Sequence, residues 1–535
     1  MKKIIILLFS ILMLMGNANV IAFADEVDLP FTPQKVMWDG EELKIGQIGR
    51  LIIVKDTPLF KLEEDQKVFV RTLKASEKYR IYAFKPGMLS VGGGLYVNRD
   101  SKIKYETPSK AKLEAVQKAK LDIVRVNQAK SQSEKPTNPY FLSPELAITT
   151  QNTASSIRID DYYYGDYFST SGRYLFKDFN NGNINLLYTT DKHLHVDKYN
   201  QVFSRIGSNK IEMELPIFGG FHSGEDGNYY VIYGQENLEE SNTKSVYRIV
   251  KYNSSWKKLA SVDIKDVYVT RPFYASNLTM DSYNGKLVIH SARLRYRSND
   301  GLNHQSNISF LVDTKDMIVL DKGGQWPKNH VSHSFATYVR FDGDKIIYAD
   351  HGDAYPRSIV LQVEQGGMVT REVELIKFAG EIGDNYTGAQ LGGLEVGLLN
   401  YLMVGSYKDN KNVYLGLVSK ETDLNSKVIP LTNHSLNLNI NIIETHISKM
   451  NNDKFVVMWN ELNTDTYENN LYYLIVNSNG DILQKMKKLP GIPSPGNMNP
   501  LVQGDTLIWY NTWSYYIMNR DYTERNVMEF FTLHN

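Results

Sequence analysis

Ile184-Asn-Leu-Leu-Tyr188 is the first of seven copies of an apolar strand pattern that decides the fold of this chain. Short runs of Val, Ile, Leu and Tyr bounded by polar turns are typical of buried strands. The other copies are Tyr229-Tyr-Val-Ile-Tyr233, Lys286-Leu-Val-Ile-His290, Lys345-Ile-Ile-Tyr-Ala349, Tyr401-Leu-Met-Val-Gly405, Lys454-Phe-Val-Val-Met458 and Thr506-Leu-Ile-Trp-Tyr510. They recur about every 45–60 residues, which leaves room for several strands in each repeat.

A second alternating strand pattern follows several of these copies. It occurs at residues 246–252, 308–313, 358–363, 413–418 and 471–476. Repeats of several strands predict an all-β fold, a seven-bladed β-propeller, because such sheets bury one another's faces around a ring. The last repeat is short, so we expect a strand from residues 156–168 to complete it and hide its free edge. Six or eight blades are the alternatives.

The first 24 residues have the pattern of a secretory signal peptide. Lys2 and Lys3 precede an apolar run at 4–15 that is too short to cross a bilayer. Ala22-Phe-Ala24 supplies a small-residue cleavage site before Asp25. We therefore expect residues 1–24 to be removed and the protein to be secreted. No second apolar run reaches the length of a membrane span.

The composition excludes several classes of protein. Lys and Arg number 60 and Asp and Glu also number 60, so no basic excess points to nucleic acid. The chain has no Cys, which excludes disulfides, thiol catalysis, Cys-ligated metals and a lipid anchor on a cleavage-site Cys. Secreted chains without Cys are common in Gram-positive bacteria, and the abundance of Asn, Ile and Lys agrees with such an origin.

Residues 25–107 are predicted to form a small β-domain with strands at 49–54, 68–72, 78–84 and 94–98 and Gly-rich turns. Three sequence phrases carry a resemblance. They are Val70-Arg-Thr-Leu-Lys74, Tyr79-Arg-Ile-Tyr82 and Val91-Gly-Gly-Gly-Leu-Tyr-Val97. They resemble the bacterial SH3-like domains of secreted proteins. The resemblance implies a small barrel that binds a cell-wall polymer.

Residues 108–150 are predicted to connect this domain to the propeller, which would occupy 151–535. The stretch 108–131 has apolar residues at helical spacing among many Lys, which predicts an amphipathic helix with a basic outer face. The following stretch, 131–144, is rich in Ser, Pro, Asn and Lys and is interpreted as a linker.

Histidines are placed where the innermost strands of a propeller would lie. His222, His333 and His446 each precede an apolar strand by a short distance. Inner strands from different blades converge on one axis, so these imidazoles are predicted to meet in the central channel. They would hold water or one another there. A divalent metal in the channel is the alternative, although no local His-ligand motif supports it.

Two polar segments, 298–307 and 350–357, follow the apolar strand of consecutive repeats and are predicted to be loops at the same end of the ring. Loops on a rigid scaffold commonly carry binding sites. The candidate binding residues are His222, Arg293, Arg295, Asn303, Gln305, Asp350, Asp353, Glu395 and His446.

The first functional hypothesis is a non-catalytic extracellular or wall-associated protein that binds a glycan, a cell-wall polymer or another extracellular protein. The alternative is a polysaccharide lyase acting on uronic-acid polymers, since β-elimination needs a base, an acid and a cation for the carboxylate. The candidate catalytic residues for that reaction are His304, His333, His351, Tyr355 and Arg357. A glycosidase pair among Asp350, Asp353 and Glu395 stays open, as does a structural role in the envelope or spore coat.

Overall fold

A computed structural model of the protein describes residues 35–44, 47–63, 66–113, 115, 146–152, 172–179, 181–190, 192–421, 426–514 and 526–534. The chain divides into two compact units, Met1–Phe141 and Leu142–Asn535, and both consist almost entirely of antiparallel strands. In the described ranges no helix is both long and apolar enough to span a membrane. The predicted signal peptide, the predicted linker and most of the predicted helix lie outside the described residues.

The N-terminal unit contains ten short strands. They are β1 (Met37–Trp38), β2 (Glu41–Glu42), β3 (Gly49–Ile53), β4 (Thr57–Glu63), β5 (Gln66–Leu73), β6 (Lys78–Ile81), β7 (Ala83–Lys85), β8 (Met88–Gly92), β9 (Leu95–Asn98) and β10 (Ile103–Glu106). They form a pair β1-β2, a three-stranded sheet β10-β3-β6 and a five-stranded sheet β5-β4-β9-β8-β7. Residues 110–113 and 115 are helical, at the start of the predicted helix.

The sequence anticipates only part of this unit. β3, β5 and β9 lie where strands are predicted, whereas β4, β8 and β10 are not anticipated. The predicted strand 78–84 is divided at Tyr82 into β6 and β7, which belong to different sheets. This break lets the two sheets face each other across one apolar core. The core consists of Leu51, Ile53, Leu59, Leu73, Ile81, Leu89, Val97 and Ile103.

The second unit contains the remaining strands. The first of them are β11 (Leu146–Asn152), β12 (Arg173–Lys177), β13 (Ile184–Thr190), β14 (His193–Tyr199), β15 (Arg205–Glu212), β16 (Ile217–Ser223), β17 (Tyr229–Gly234), β18 (Tyr247–Tyr252), β19 (Lys258–Ile264), β20 (Val269–Pro272), β21 (Thr279–Tyr283), β22 (Lys286–Arg297), β23 (Asn303–Asp313) and β24 (Ile318–Asp321). The others are β25 (Ser332–Asp342), β26 (Lys345–Tyr355), β27 (Ser358–Gln365), β28 (Met368–Lys377), β29 (Gln390–Val396), β30 (Asn400–Tyr407), β31 (Asn412–Ser419), β32 (Lys427–Pro430), β33 (Ile440–Asn451), β34 (Lys454–Asn463), β35 (Asn469–Val476), β36 (Ile482–Leu489), β37 (Leu501–Gln503), β38 (Thr506–Ser514) and β39 (Asn526–His534).

These strands pair in sequential order within four-stranded antiparallel groups. The groups are β12–β15, β16–β19, β21–β24, β25–β28, β29–β32, β33–β36 and β37-β38-β39-β11. Each copy of the repeated apolar pattern lies in the second strand of its group, and each copy of the second pattern lies in a third strand. Second strands such as β17 are buried along their whole length because their sheets have neighbours on both faces.

The first strands of the groups contact one another in a closed circle. β16 contacts β21, β21 contacts β25, and the series continues through β29, β33 and β37. β37 contacts β12, and Tyr174 of β12 packs edge-on against Phe218 and Phe221 of β16. The second unit is therefore a β-propeller, with the first strand of each group innermost.

Apolar clusters join each group to the next. Phe176 and Leu187 of the first group pack with Phe218 and Tyr229 of the second, and Trp256 stacks on Tyr229 with ring centroids 4.8 Å apart. The last group packs in one cluster with the first and the sixth. Burial of these side chains is the main stabilising term, at about 1.5–3 kcal/mol for each large residue.

The long β22–β23 and β25–β26 hairpins merge two groups into a nine-stranded sheet. Ser306 of β23 pairs with Ser332 of β25, which connects the two groups. The prediction that 298–307 and 350–357 are loops is therefore wrong for half of the first segment and for most of the second. Residues 303–307 belong to β23 and residues 350–355 to β26. Each of these strands extends beyond its apolar residues into a polar stretch that still pairs with neighbouring strands.

The last group is completed by β11, whose seven residues pair with β39 from Leu146↔Leu533 to Asn152↔Val527. This strand lies upstream of the predicted closing segment, 156–168, which is outside the described residues. Because β11 precedes the first group in sequence, its pairing ties the start of the propeller to its end.

Candidate functional site

A cavity of about 480 Å³ lies between the innermost strands of the propeller. Strands β12, β21, β25, β29 and β33 and the segment 496–502 each contribute to its wall. Residues far apart in sequence therefore share one cavity. Its lining includes the side chains of Arg173, Tyr174, Phe335, Tyr338, His351, Gln390, Glu444, Thr445 and His446.

Close contact of two innermost strands fixes one side of this wall. A Cβ atom on Gly392 of β29 would lie 1.9 Å from Oγ1 of Thr445 and 2.3 Å from its carbonyl oxygen, both in β33. Only glycine fits at such an approach. The neighbouring Gly393 is packed in the same way against Ile447. The Gly392-Gly393 pair therefore brings β33 inward and presents its side chains to the cavity.

His446 and Thr445 are buried polar groups of this wall whose hydrogen-bonding capacity is not filled. Among the described residues, no side chain bonds either imidazole nitrogen of His446 or Oγ1 of Thr445, and the backbone group that acts on the imidazole is that of Gly496. Burial lowers the pKa of His446, while Glu444 and the Gly496 backbone oppose that shift. A buried polar group without a partner costs about 1–3 kcal/mol. The cavity therefore contains groups that gain from a bound molecule.

His351 reaches the same cavity from β26. Its Nε2 lies 2.9 Å from Oγ1 of Thr387, and its imidazole meets Phe335 and Phe378 edge-on with centroids 5.9 and 5.2 Å away. Burial lowers the pKa of His351 to about 4; Asp353 opposes the shift and Arg357 adds to it. The imidazole is therefore neutral at pH 7 and offers one donor and one acceptor.

The rest of the wall mixes aromatic and polar groups. Burial raises the pKa of Tyr338 to about 12 and raises that of Tyr174 further, so both keep their hydroxyl protons. Glu444 accepts a hydrogen bond from Ser494, and Arg173 lies over the Tyr510 aromatic face at 5.9 Å. At neutral pH the cavity thus presents hydroxyls, neutral imidazoles, an amide and aromatic surface, with one carboxylate and one guanidinium.

The structure separates the three histidines that were predicted to meet. Only His446 lines the central cavity. His222 lines a smaller neighbouring pocket beside Phe221, its Nε2 lies 2.9 Å from Oγ of Ser282, and burial lowers its pKa to about 4. His333 places Nδ1 2.9 Å from Oδ1 of Asp353. The physical reason is that side chains of one strand alternate in direction, so strand membership alone does not decide where they point.

The other candidate catalytic residues do not assemble around an open space. His304 places Nε2 2.6 Å from Oδ2 of the exposed Asp300. The guanidinium of Arg357 donates to the backbone carbonyls of Asp353, Ala379 and Tyr386, and these bonds use four of its five N–H groups. Tyr355 is 70% exposed. The imidazoles of His304 and His333 approach each other, with centroids 6.5 Å apart.

The three carboxylates that could have formed a glycosidase pair each have a different partner. Asp350 is buried and receives hydrogen bonds from Ser334 and His290, whose Nε2 lies 3.0 Å from Oδ2. Oδ2 of Asp353 accepts from the backbone N–H of Asn385. Glu395 pairs with Arg340 across two innermost strands at 3.0 Å. Each carboxylate is thus part of a structural contact.

Three of the predicted binding residues donate hydrogen bonds to backbone carbonyls. Asn303 donates to the carbonyl of Arg295, Gln305 to that of Tyr274, and Arg293 to those of Val267, Gly324 and Gln325. Arg295 lies flat on Trp326, with its guanidinium carbon 4.1 Å from the ring centroid. These predicted binding residues therefore lie at the end of the β22–β23 hairpin, and none of them lines the central cavity.

A metal site in the channel finds no support in the geometry. Within the described part of the chain, no three His, Asp or Glu side chains are grouped as ligands for one ion.

Sequence reasoning missed most of the cavity. The cavity residues Tyr174, Phe335, Gln390 and Thr445 all lie on first strands, 9 to 11 residues before the start of an apolar copy, whereas His446 lies 8 residues before its own. The position before the apolar strand therefore indicates cavity residues of several types and not histidines alone. The Gly392-Gly393 pair was a further signal, because paired glycines before an apolar strand indicate close backbone approach.

Comparisons with known proteins give remote structural similarities only. The sequence matches no protein-family model and no curated protein. A structure from a study of two prolyl endopeptidases aligns with a TM-score of 0.37 and 11% identity over 64% of this chain and 44% of that chain, so this chain spans under half of its length. A quinonprotein alcohol dehydrogenase-like protein from Bacteroides thetaiotaomicron gives a TM-score of 0.35 and 11% identity over 60% and 66%. The Dos1 propeller gives 0.31 and 13% over 54% and 66%. At these scores the similarities bear on neither the site nor the activity.

Proposed function

We propose that the protein is an exported, wall-associated binding protein. Along its chain, an SH3-like domain is followed by a seven-bladed propeller. The strand groups and their circular contacts support this blade count. The facing sheets of the N-terminal unit, with their single small core, support the SH3-like assignment. Export rests on the sequence of residues 1–24. A chain beginning at Asp25 in the culture medium would support it, and retention of residues 1–24 would contradict it.

The ligand proposed for the central cavity is a neutral, hydroxyl-rich group such as one unit of a glycan. The single observation that carries this proposal is the unfilled hydrogen-bonding capacity of His446 and Thr445 inside a cavity of about 480 Å³. A neutral imidazole can both donate to and accept from a hydroxyl. Aromatic faces such as that of Phe335 fit the apolar side of a sugar ring.

The lyase alternative has weaker support. Its cation, Arg357, uses most of its donors on backbone carbonyls. Of its histidines, His304 pairs with the exposed Asp300 and His333 contacts Asp353. β-Elimination requires these groups on one substrate carboxylate and its neighbouring proton. Ultraviolet-absorbing unsaturated chain ends formed from a uronate polymer would nevertheless favour the lyase over the binding protein.

The test is titration of the full chain with neutral oligosaccharides from bacterial walls, followed by calorimetry and by the melting temperature. We expect His446→Gln to weaken binding about tenfold, the cost of one or two hydrogen bonds in a dry site. Without ligand, its melting temperature should stay close to that of the wild type, because one buried polar side chain replaces another. His222→Gln is the matched control, since His222 is half-buried outside the cavity and has its own partner, Ser282.

Two outcomes would overturn the proposal. One is that no oligosaccharide gives saturable binding or raises the melting temperature of the wild type. The other is that His446→Gln and His222→Gln lose affinity equally, which would locate binding outside the cavity. Saturable binding of an extracellular protein at the cavity instead of a sugar would keep the site and replace the ligand class.

A further inference from the structure

Two arginines are buried side by side at the far end of β22 without a carboxylate partner. Arg293 and Arg295 are two residues apart, so their side chains extend to the same face of the strand. Their exposed fractions are 0% and 2%. In the described ranges, no Asp or Glu lies within ion-pair distance of either guanidinium. A buried, uncompensated charge is costly, so such pairs are rare unless something neutralises them.

Several nitrogens of this cluster also lack hydrogen-bond partners. Arg293 uses its terminal nitrogens on the carbonyls of loop 322–331 and of Val267, but its Nε has no partner. Nε and Nη1 of Arg295 and Nδ1 of His330 are likewise buried and without partners among the described residues. Four buried nitrogens in one cluster, three of them guanidinium donors, therefore lack a hydrogen-bond partner. Each such group costs about 1–3 kcal/mol, and more when it is charged.

Trp326 covers this cluster. Its ring centroid lies 4.1 Å from the guanidinium carbon of Arg295 and 4.8 Å from the centroid of the His330 imidazole, which it meets edge-on. Trp326 is itself 64% exposed. Arg293 donates to the carbonyls of Gly324 and Gln325 and so anchors the loop that carries Trp326. The indole is thus an exposed cover on an anchored loop, and its displacement would open Arg295 to solvent.

The cluster is cationic at neutral pH. Burial lowers the pKa of Arg293 to about 10 and also lowers that of Arg295, yet the first value leaves Arg293 charged at pH 7. Burial, Arg295 and Arg293 together lower the pKa of His330 to about 4, so His330 is neutral. The nearest carboxylate to influence Arg295 is Asp300, which is exposed and is held by His304. The cluster therefore offers two positive charges and a polar imidazole to one ligand.

We propose that Arg293, Arg295 and His330, beneath Trp326, form a binding site for a single oxyanion of the phosphate type. A tetrahedral oxyanion presents acceptors in several directions and matches the forked donors of arginine. The site is separate from the central cavity, and the proposal does not depend on glycan binding there.

The experiment is calorimetric titration of the full chain with inorganic phosphate, together with the melting temperature in phosphate and in a phosphate-free buffer. We expect saturable binding and a higher melting temperature in phosphate, since a ligand of the folded state stabilises it by mass action. Arg295→Gln should weaken binding at least about tenfold and remove the phosphate-dependent rise. Arg271→Gln is the matched control, because Arg271 also lies near an aromatic ring, that of Tyr274, but is on the surface.

Trp326 supplies a second readout that does not require loss of a buried side chain. Phosphate should change the tryptophan emission of the wild type, and Trp326→Phe should abolish that change while keeping the affinity. If Arg295→Gln does not fold, Arg295→Lys keeps the charge but removes the fork, and the proposal requires it to bind phosphate more weakly than the wild type. Sulfate and acetate serve as separate arms that distinguish a tetrahedral oxyanion from a planar carboxylate.

The proposal is overturned if phosphate gives no saturable binding. It is also overturned if Arg295→Gln and Arg271→Gln bind phosphate equally, which would mean general attraction to the surface. Acetate binding at least as tightly as phosphate would replace the tetrahedral ligand with a carboxylate.

Discussion

The guanidinium of Arg357, predicted from the sequence to bind a substrate carboxylate, donates hydrogen bonds to the backbone instead. Its nitrogens donate to the carbonyls of Asp353 in β26 and of Ala379 and Tyr386 in the segment after β28. A sequence reveals that a residue can bind an anion, but it does not reveal which carbonyls will reach it first. Arg357 is therefore a stabilising residue.

Arg357→Met is expected to lower the free energy of unfolding by about 2 kcal/mol, because several charge-assisted hydrogen bonds to carbonyls are lost at a half-buried site. Urea denaturation of the full chain measures this. Tyr355→Ala is the control, since Tyr355 is 70% exposed, and it should change stability by less than about 0.5 kcal/mol. Equal effects of the two changes would contradict the structural role of Arg357.

A pH dependence follows from His351. Its pKa of about 4 in the folded protein lies below the ordinary value of 6.5, so the unfolded chain binds a proton between these values and the folded protein does not. The contribution of His351 to the free energy of unfolding is therefore fully present above pH 6.5. It falls as the pH decreases toward 4, by up to about 1.4 kcal/mol per pH unit. We expect His351→Gln to reduce this slope in urea denaturation at pH 7, 6 and 5. A slope identical to that of the wild type would refute this account.

The sequence shows which candidate residues can titrate or form hydrogen bonds, but it does not show which residues they contact. His290 and Asp350 are 60 residues apart and form a buried pair, and His222 and Ser282 are separated by the same interval. Such contacts join equivalent positions of neighbouring strand groups, so they appear only after the groups are placed side by side. The sequence therefore identifies titratable residues correctly and misses that most of them satisfy one another.

At the scale of elements, the buried second strands were predictable and the polar ends of the long hairpins were not. A run such as Val231-Ile232 is apolar on both faces, which only a strand between two sheets requires. The segment that begins at Asp350 and His351 has the composition of a loop. It is nevertheless buried strand, because His290, Ser334 and Thr387 supply partners for its polar groups.

The contact between β29 and β33 gives a prediction for the innermost strands. Gly392→Ala would place a Cβ within 2.3 Å of two atoms of Thr445, so the strands must move apart. We expect a loss of about 2–4 kcal/mol in the free energy of unfolding, measured by chemical denaturation. Gly207→Ala on β15 is the matched control, because no atom lies within 4 Å of the added carbon. A stable Gly392→Ala protein would show that this approach is not tight.

At the scale of the whole molecule, closure of the propeller depends on β11. The sequence indicated that the last repeat was short, but nothing local identifies which upstream segment completes it, because any alternating stretch fits a free edge. Pairing of Leu146–Asn152 with β39 joins residues nearly 400 positions apart along the chain, from Leu146 to Leu533. The start of the propeller is thereby a structural part of its last group.

Loss of this pairing should weaken the propeller as a whole. In the double variant Ile148→Pro/Thr149→Pro, at least one proline removes a backbone N–H that faces β39, since successive N–H groups alternate in direction. We expect a loss of about 3 kcal/mol or more and aggregation through the exposed edge. The control is Ile148→Ala/Thr149→Ala, which keeps both N–H groups. Equal melting temperatures of the two variants would argue against a closing role for β11.

The pairing of Ser306 with Ser332 makes the third and fourth strand groups one continuous sheet, and no other two groups share a sheet in the described part of the chain. Separation of these two groups therefore breaks a strand pairing, whereas the boundary between the fifth and sixth groups has an isolated main-chain hydrogen bond from Ile442 N–H to the Asn410 carbonyl. Local opening events would therefore start elsewhere, and backbone amides near this junction would exchange their hydrogens with solvent among the last. The propeller is therefore expected to resist local opening unequally around its ring. The merged third and fourth groups, which contain His351 and the two buried arginines, should open least readily.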